Sequence, residues 1–277
     1  MPTESVAIAA TLMRGGTSKG LFFLRGDLPA EPAARDALLL RVIGSPDPYG
    51  RHIDGLGGAT SSTSKVVLVQ RSAQSGCDVD YLFGQVAIEQ PLIDWSGSCG
   101  NLAAAVGPFA LHAGLVGGAP DDGRATVRIW QANLGQRIVA HVPMQGGRVQ
   151  EMGDFALDGV PFAAAEIRLD FLDPAGGGGL PLLPTGHVRD TLDVPGLGPV
   201  EATLINAGNP TVIAPAAALG LAGTELPRAL NADAALLARC EAVRAQAAVA
   251  MGLAASAEQA TRERPATPKL ALVALPA

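Results

Sequence analysis

The sequence predicts an α+β protein, and three features carry that expectation. Short β-branched runs such as Lys65–Gln70 (KVVLVQ) recur along the chain and outnumber segments with helical spacing. The 277 residues include 34 glycines and 21 prolines, many in clusters, which cut the chain into short elements. Each half shows many strands and only one or two helices, so the order is not the strand–helix alternation of a parallel sheet.

In chain order, Val6–Leu12 reads as a strand and Leu21–Leu24 as a second, joined by the loop Arg14–Gly20 (RGGTSKG). Pro32 suits a first helical turn, and Ala33–Ile43 follows as a helix with Leu38, Leu39, Val42 and Ile43 apolar. Gly44–Gly50 ends it, and the glycine- and hydroxyl-rich Asp54–Ser64 leads into the strand at Lys65. Asp78–Glu89 is mainly strand, with Gly84 expected at a bulge or bend. Leu102–Ala113 is a helix whose Gly107 and Pro108 predict a kink. Strands are expected at 125–131, 137–142, 148–151, 164–171, 200–205, 211–214 and 269–275, with a helix over 232–251. The flexible crossing at 172–180, with four consecutive glycines, sets the expected domains at 1–179 and 180–277. The last strand runs to the chain end without a cap, so the second domain is expected to be partial.

Composition excludes several classes of function. Lysine plus arginine is 20 against 26 acidic residues, a net charge of −6, and no basic block occurs; nucleic acid and anionic membranes are poor partners. No apolar run reaches a membrane span of about 18 residues, and no secretory leader is legible, so a soluble cytoplasmic protein is expected. Cys77, Cys99 and Cys240 are too scattered for a disulfide framework or zinc knuckle. The four histidines form no metal-binding spacing, so no metal is expected. Neither a GxGxxG nor a GxxxxGK[ST] pattern occurs.

Four segments could carry chemistry. At Ser98-Cys99-Gly100-Asn101 a helix begins, and its unpaired N–H groups favour an anion, either a substrate carboxylate or a Cys99 thiolate. The same residues also suit a buried structural cysteine beside an Asn or Ser cap. The second segment is Asp54–Lys65, where hydroxyls, including Ser64, precede a lysine held at a strand start. The third, Arg14–Gly20, offers Arg14, Thr17, Ser18 and Lys19. If these two loops faced each other, two cations would share a pocket and depress a lysine toward general-base use; taken singly, each is also an ordinary polar turn. Lysine occurs only at 19, 65 and 269, every other basic residue being arginine. A fourth loop, Asn206–Thr211, places Asn206 and Asn209 where they could bind a carboxylate or simply make a turn.

Taken together, MRGGTSKG (13–20), GSPDPYGRHIDGLGGATSSTSK (44–65), DYLFGQV (80–86), DWSGSCGNLAAAVGPFA (94–110) and INAGNPT (205–211) resemble the PrpF family of 2-methylaconitate cis–trans isomerases. The resemblance implies the diaminopimelate-epimerase-like fold: two similar α+β domains, each a curved antiparallel sheet around a central helix, with the site between them. It implies a cofactor-independent isomerase of an unsaturated tricarboxylate, 2-methylaconitate in propionate catabolism and the methylcitrate cycle. 4-Oxalomesaconate tautomerases and methylitaconate isomerases share the scaffold and are the alternatives. Lys65 stands where the family has its lysine base, and Cys99 where related epimerases carry a catalytic cysteine; Ser98 replaces the asparagine usual before it. The substrate set is then Arg14, Thr17, Ser18, Lys19, Ser64, Ser98, Gly100, Asn101 and Asn209. Expected partners are the small tricarboxylate and an aconitase-type dehydratase of the same pathway, and a homodimer is compatible. The alternative of another class is a non-catalytic binding or accessory protein.

Overall fold

A computed structural model describes residues 6–276. The chain divides into two compact units, the first ending at Asp173 and the second beginning at Pro174. The sequence had placed this division after Gly179.

The first unit contains β1 (Thr11–Gly15), β2 (Ser18–Leu24), α1 (Pro32–Ile43), β3 (Lys65–Arg71), β4 (Val79–Val86), β5 (Ile93–Asp94), α2 (Gly100–His112), β6 (Gly123–Gln131), β7 (Gln136–Gln145), β8 (Arg148–Val149) and β9 (Arg168–Leu172). They form one nine-stranded sheet in the order β1-β2-β3-β4-β6-β7-β8, with β5 on β4 and β9 on β7. Pairing is antiparallel except at β2–β3 and β4–β6. Helix α2 touches β1 and β2 at one end of this order and β7, β8 and β9 at the other. The two edges of a flat sheet of this width could not both touch one helix, so the sheet is curled around α2.

The composition of α2 explains its place. Leu102, Ala103, Ala105, Val106, Phe109 and Ala110 are buried on every side of it, as expected of a helix without a solvent face. They pack with Phe22, Val67, Tyr81, Phe83, Val127, Ile138 and Val142 from the sheet. Alternate residues of the same strands, including Leu21, Val66, Leu68 and Val86, face the other way and pack with Leu39 and Ile43 of α1. Helix α1 starts where expected: Glu31 accepts the N–H groups of Ala33 and Ala34, and Pro32 fills the first turn. Gly44, at φ 88°, ends it by donating its N–H to Leu40 O.

The second unit holds β10 (Asp190–Val194), β11 (Gly198–Ala207), β12 (Asn209–Pro215), α3 (Pro227–Ala232), α4 (Ala234–Ala250), α5 (Ala257–Glu263) and β13 (Lys269–Val273). Its sheet runs β10-β11-β12-β13, with the last pair parallel. Leu236 and Val243 of α4 pack on Val194, Leu204 and Val212.

Several expected elements change. The first strand starts at Thr11 rather than Val6, and the loop Arg14–Gly20 is a tight hairpin in which only Gly16 and Thr17 lie outside strands. Gly16 has φ +52°, which gives that turn its hand. The loop Asn206–Thr211 is likewise a hairpin, turning at Gly208. The strand expected at 148–151 is two residues long, and β10, α3 and α5 lacked a periodic signal.

Two predictions follow from the packing around α2. A Cβ on Gly107 would lie 2.7 Å from Val142 Cγ2 and 3.1 Å from Ala140 Cβ. Gly107→Val should therefore destabilise the protein by about 1–3 kcal/mol despite removing a helical glycine, seen as a lower midpoint in chemical denaturation. Tyr81 is fully buried and donates its hydroxyl to Cys99 O at 3.0 Å. Burial first, then the neighbouring Cys99, pushes its phenol well above the ordinary value of 10.0. The unfolded chain releases this proton before the folded one does, so this contribution is full below pH 10 and is lost as pH rises further. Tyr81→Phe should cost about 1 kcal/mol near neutrality. The gap between parent and variant should narrow above pH 10 in denaturation titrations.

Candidate active site

The proposed site lies on the face of the first sheet that receives α2. Cross-strand pairing sets it out as a row, because directly paired residues share a face. Met13 of β1 pairs with Gly20 of β2, Lys65 of β3 with Gln85 of β4, and Gln85 with Asp94 of β5. Gly20 abuts Lys65 so closely that a Cβ on it would lie 2.9 Å from Lys65 O. Val67 and Phe83, two residues along from Lys65 and Gln85, belong to the α2 core and fix which face this is.

Lys65 is only 7% exposed. Its Nζ donates to Gln85 Oε1 at 2.6 Å and lies 5.0 Å from the centre of the Phe83 ring. The Gln85 amide is fixed in turn, since its Nε2 donates to Ser61 O and Ser64 O at 3.2 and 3.1 Å. The loop ahead of Lys65 is anchored along its length. The Asp47 carboxylate accepts the N–H groups of Tyr49, Arg51 and His52, which hold it below the usual carboxylate range. Gly57 N–H donates to Ile43 O at 3.0 Å.

The helix start meets the β1–β2 hairpin at van der Waals contact. A Cβ on Gly15 would lie 2.3 Å from Asn101 O, and one on Gly16 would lie 2.3 Å from Asn101 Oδ1. Glycine at both positions lets the hairpin sit against the first turn of α2. Asn101 Nδ2 donates to Thr17 Oγ1 at 3.1 Å, and Lys19 N–H donates to Ser62 O at 3.0 Å. The three donor-rich segments thus meet within the first unit. Cys99 itself caps α2, its Sγ accepting Leu102 N–H at 3.5 Å; neither Ser98 nor Asn101 is the cap. Ser98 is half-buried beside the Tyr81 hydroxyl. Gly100 is exposed, and a Cβ on it would meet nothing closer than Phe171 Cζ at 3.7 Å. Close by, Arg168 and His141 bond Asp170 and hold its carboxyl down to about 2.

Within the first unit, Arg14, Lys19 and Ser64 fall away from this face. Arg14 pairs with Lys19 one position away from the Gly15–Ser18 pair, so alternation sends both cations to the face opposite Ser18, Gly20 and Lys65. The pocket shared by two cations is therefore not formed. Arg14 instead donates to Gly16 O at 2.8 Å and braces the turn. Ser64 is fully buried with its hydroxyl 3.3 Å from His52 Nδ1, so it supports the loop and cannot touch a ligand. Asn209 begins β12 of the second unit, and Thr211 Oγ1 donates to its carbonyl at 3.0 Å. Neighbouring Asn206 is buried and donates to Gly177 O and Leu180 O.

Sequence inspection missed Gln85, Tyr81 and Asp94. For Gln85 and Tyr81 the signal was strand alternation in DYLFGQV, which puts a polar residue at 85 in line with 81 and 83. A cleft of about 780 Å³ lined by Arg41, Ser45, Asp47, Tyr49, Arg51 and Ile53 holds none of the expected catalytic residues. Among the described residues no group of three His, Cys, Asp or Glu could hold a metal, and no helix is long and apolar enough to cross a membrane.

The family model described as PrpF protein matches residues 5–277. The 2-methyl-aconitate isomerase of Shewanella oneidensis is 56% identical over 281 residues, covering 98% of this chain and 70% of the relative. A protein of the same name from Cupriavidus necator is 55% identical, covering 97% of this chain and 70% of its own length. A crystal structure of methylitaconate-delta-isomerase superposes with a TM-score of 0.68 at 39% identity, over 96% of this chain and 67% of that one. The architecture is accordingly α+β of the diaminopimelate-epimerase-like type. Matches of this extent place the chain in the PrpF family.

Proposed function

We propose that the protein is an isomerase of an unsaturated tricarboxylate, with 2-methylaconitate cis–trans isomerisation as its reaction. The observation that carries this reading is the buried Lys65 amine, held by Gln85 on the same sheet face that receives the start of α2. The relatives at 55–56% identity carry the corresponding name. Methylitaconate isomerisation is the second reading, favoured by the structural match at 39% identity, and uses the same proton chemistry.

A proton on carbon next to both a carboxylate and a double bond is weakly acidic. Neutral Lys65 takes it and becomes an ammonium. The electron pair spreads over the allylic, enolate-like system, the former double bond gains single-bond character, and the carbon skeleton rotates. The ammonium then returns the proton, so nothing is oxidised or reduced. Negative charge grows on the carboxylate oxygens in the intermediate. The free N–H groups at Gly100 and Asn101 at the start of α2 stabilise it, with Thr17 positioned through Asn101. Gly100 lacks a side chain, so a carboxylate can approach the backbone directly. Cys99, its sulfur turned to Leu102 N–H, serves this anion site rather than the proton transfer. The partner in sequence is a dehydratase of the aconitase type, which forms such a substrate.

Lys65→Arg keeps the charge but cannot give up a proton near neutral pH. It should lower kcat by at least about a hundredfold in a turnover assay with 2-methylaconitate. Activity within a few fold of the parent would remove Lys65 as base. Cys99→Ala should raise KM and leave kcat largely unchanged. A collapse of kcat at constant KM would instead make Cys99 an acid/base.

A further inference from the structure

We infer that Gln85 is the positioning residue for the Lys65 amine, and that its being a neutral amide keeps that amine titratable for proton transfer. The inference rests on Lys65 as the proposed base.

Two features make the geometry informative. Gln85 has two donors and one acceptor oxygen, and both contacts of its Nε2 are backbone carbonyls, Ser61 O and Ser64 O. Carbonyls accept only, so the amide cannot flip, and Oε1 must face Lys65 Nζ, 2.6 Å away. The two carbonyls belong to the loop that delivers Lys65, and Val86 N–H donates to Ser64 O at 3.1 Å, which closes this arrangement on β4. Gln85 therefore aims the amine and ties it to its own loop.

The second feature is charge. An acceptor is needed at this place, because an amine only 7% exposed has little water to bond. A carboxylate there would also accept, but would favour the ammonium and remove the base. An amide oxygen orients either protonation state. The charged and titratable groups toward the Lys65 face include Asp94 and Cys99. Asp94 on β5 lies one strand beyond Gln85 on the same face, with its Oδ1 accepting Ser96 N–H and Oγ–H at 2.8 and 2.5 Å. Cys99 lies at the start of α2, and alternation turns Lys19 and Arg14 of β2 and β1 to the other face.

Lysine occurs at only three positions, so peptide-resolved competitive acylation across a pH series reads the Lys65 titration directly, with Lys19 and Lys269 as internal references. This readout needs no turnover. Gln85→Glu should raise the Lys65 labelling midpoint by at least about one pH unit, as an opposite charge at hydrogen-bond distance does. Gln85→Leu, which removes the acceptor, should move it the other way, and neither variant should move Lys269. In turnover, Gln85→Glu should lose kcat at neutral pH and regain it toward alkaline pH, with KM little changed. Gln85→Leu should be slow throughout. Unmoved Lys65 midpoints in both variants would overturn the inference. So would equal losses in both variants at every pH, the pattern of a residue that only supports the loop. The base reading fails separately: Lys65→Arg would then remain active while the labelling shifts still appear.

Discussion

The architecture of the candidate site depends on how closely the β1–β2 hairpin approaches the first turn of α2. Gly15 and Gly16 leave no room for a side chain against Asn101, so the hairpin and the helix start behave as one body. Gly20, on the same strand face, does the same for Lys65 and Leu102. Small residues here are the condition for bringing a cation-bearing strand and a positive helix end to one place. Any Cβ in this seam would push the helix start away from the base.

The curled sheet makes that seam worth having. Wrapping around α2 buries the helix on all sides, and a helix so enclosed can neither slide nor rotate without disturbing strands on both sides of it. Its N-terminus is therefore fixed in direction. Tyr81 bonds Cys99 O from within the core, and Asn133 bonds the N–H and C=O of Phe83 together with Trp95 O, fixing the segment that enters the helix. Precision at the site comes from buried residues with no chemistry of their own. The loop from Gly44 to Ser64 plays the matching part for Lys65. Its Asp47 turn and Ser64–His52 contact set the point at which β3 begins.

Much of this was legible in the sequence, and the failures share a cause. The apolar run of α2 and the β-branched run after Lys65 identified the central helix and a core strand. Clusters of glycine, hydroxyl and cation marked two of the three segments that meet at the site, and a helix start marked the third, Ser98–Asn101. Composition, however, does not say which face of a strand a residue occupies. Lys19 and Ser18 are neighbours with similar donor chemistry, yet pairing puts them on opposite faces. Ser64 adjoins Lys65 and is turned the other way for the same reason, toward His52. Gln85 was overlooked because a glutamine in a strand looks like solvent-facing polarity until its cross-strand partner is known to be Lys65. The turns at Gly16 and Gly208 were recognised as turns, but the hairpins they close were read as loops, since the flanking residues are polar.

The central claim is that one face of the first unit holds the substrate between an aimed amine and a helix start. A crystal structure of the chain with trans-aconitate, a tricarboxylate with the same unsaturated skeleton, tests it most directly. The account predicts one carboxylate on the Gly100 and Asn101 N–H groups and the allylic carbon within about 3.5 Å of Lys65 Nζ, as a reacting pair requires. A tricarboxylate bound with its carbon skeleton beyond reach of Lys65, or seated in the cleft beside Arg41 and Arg51, would contradict it.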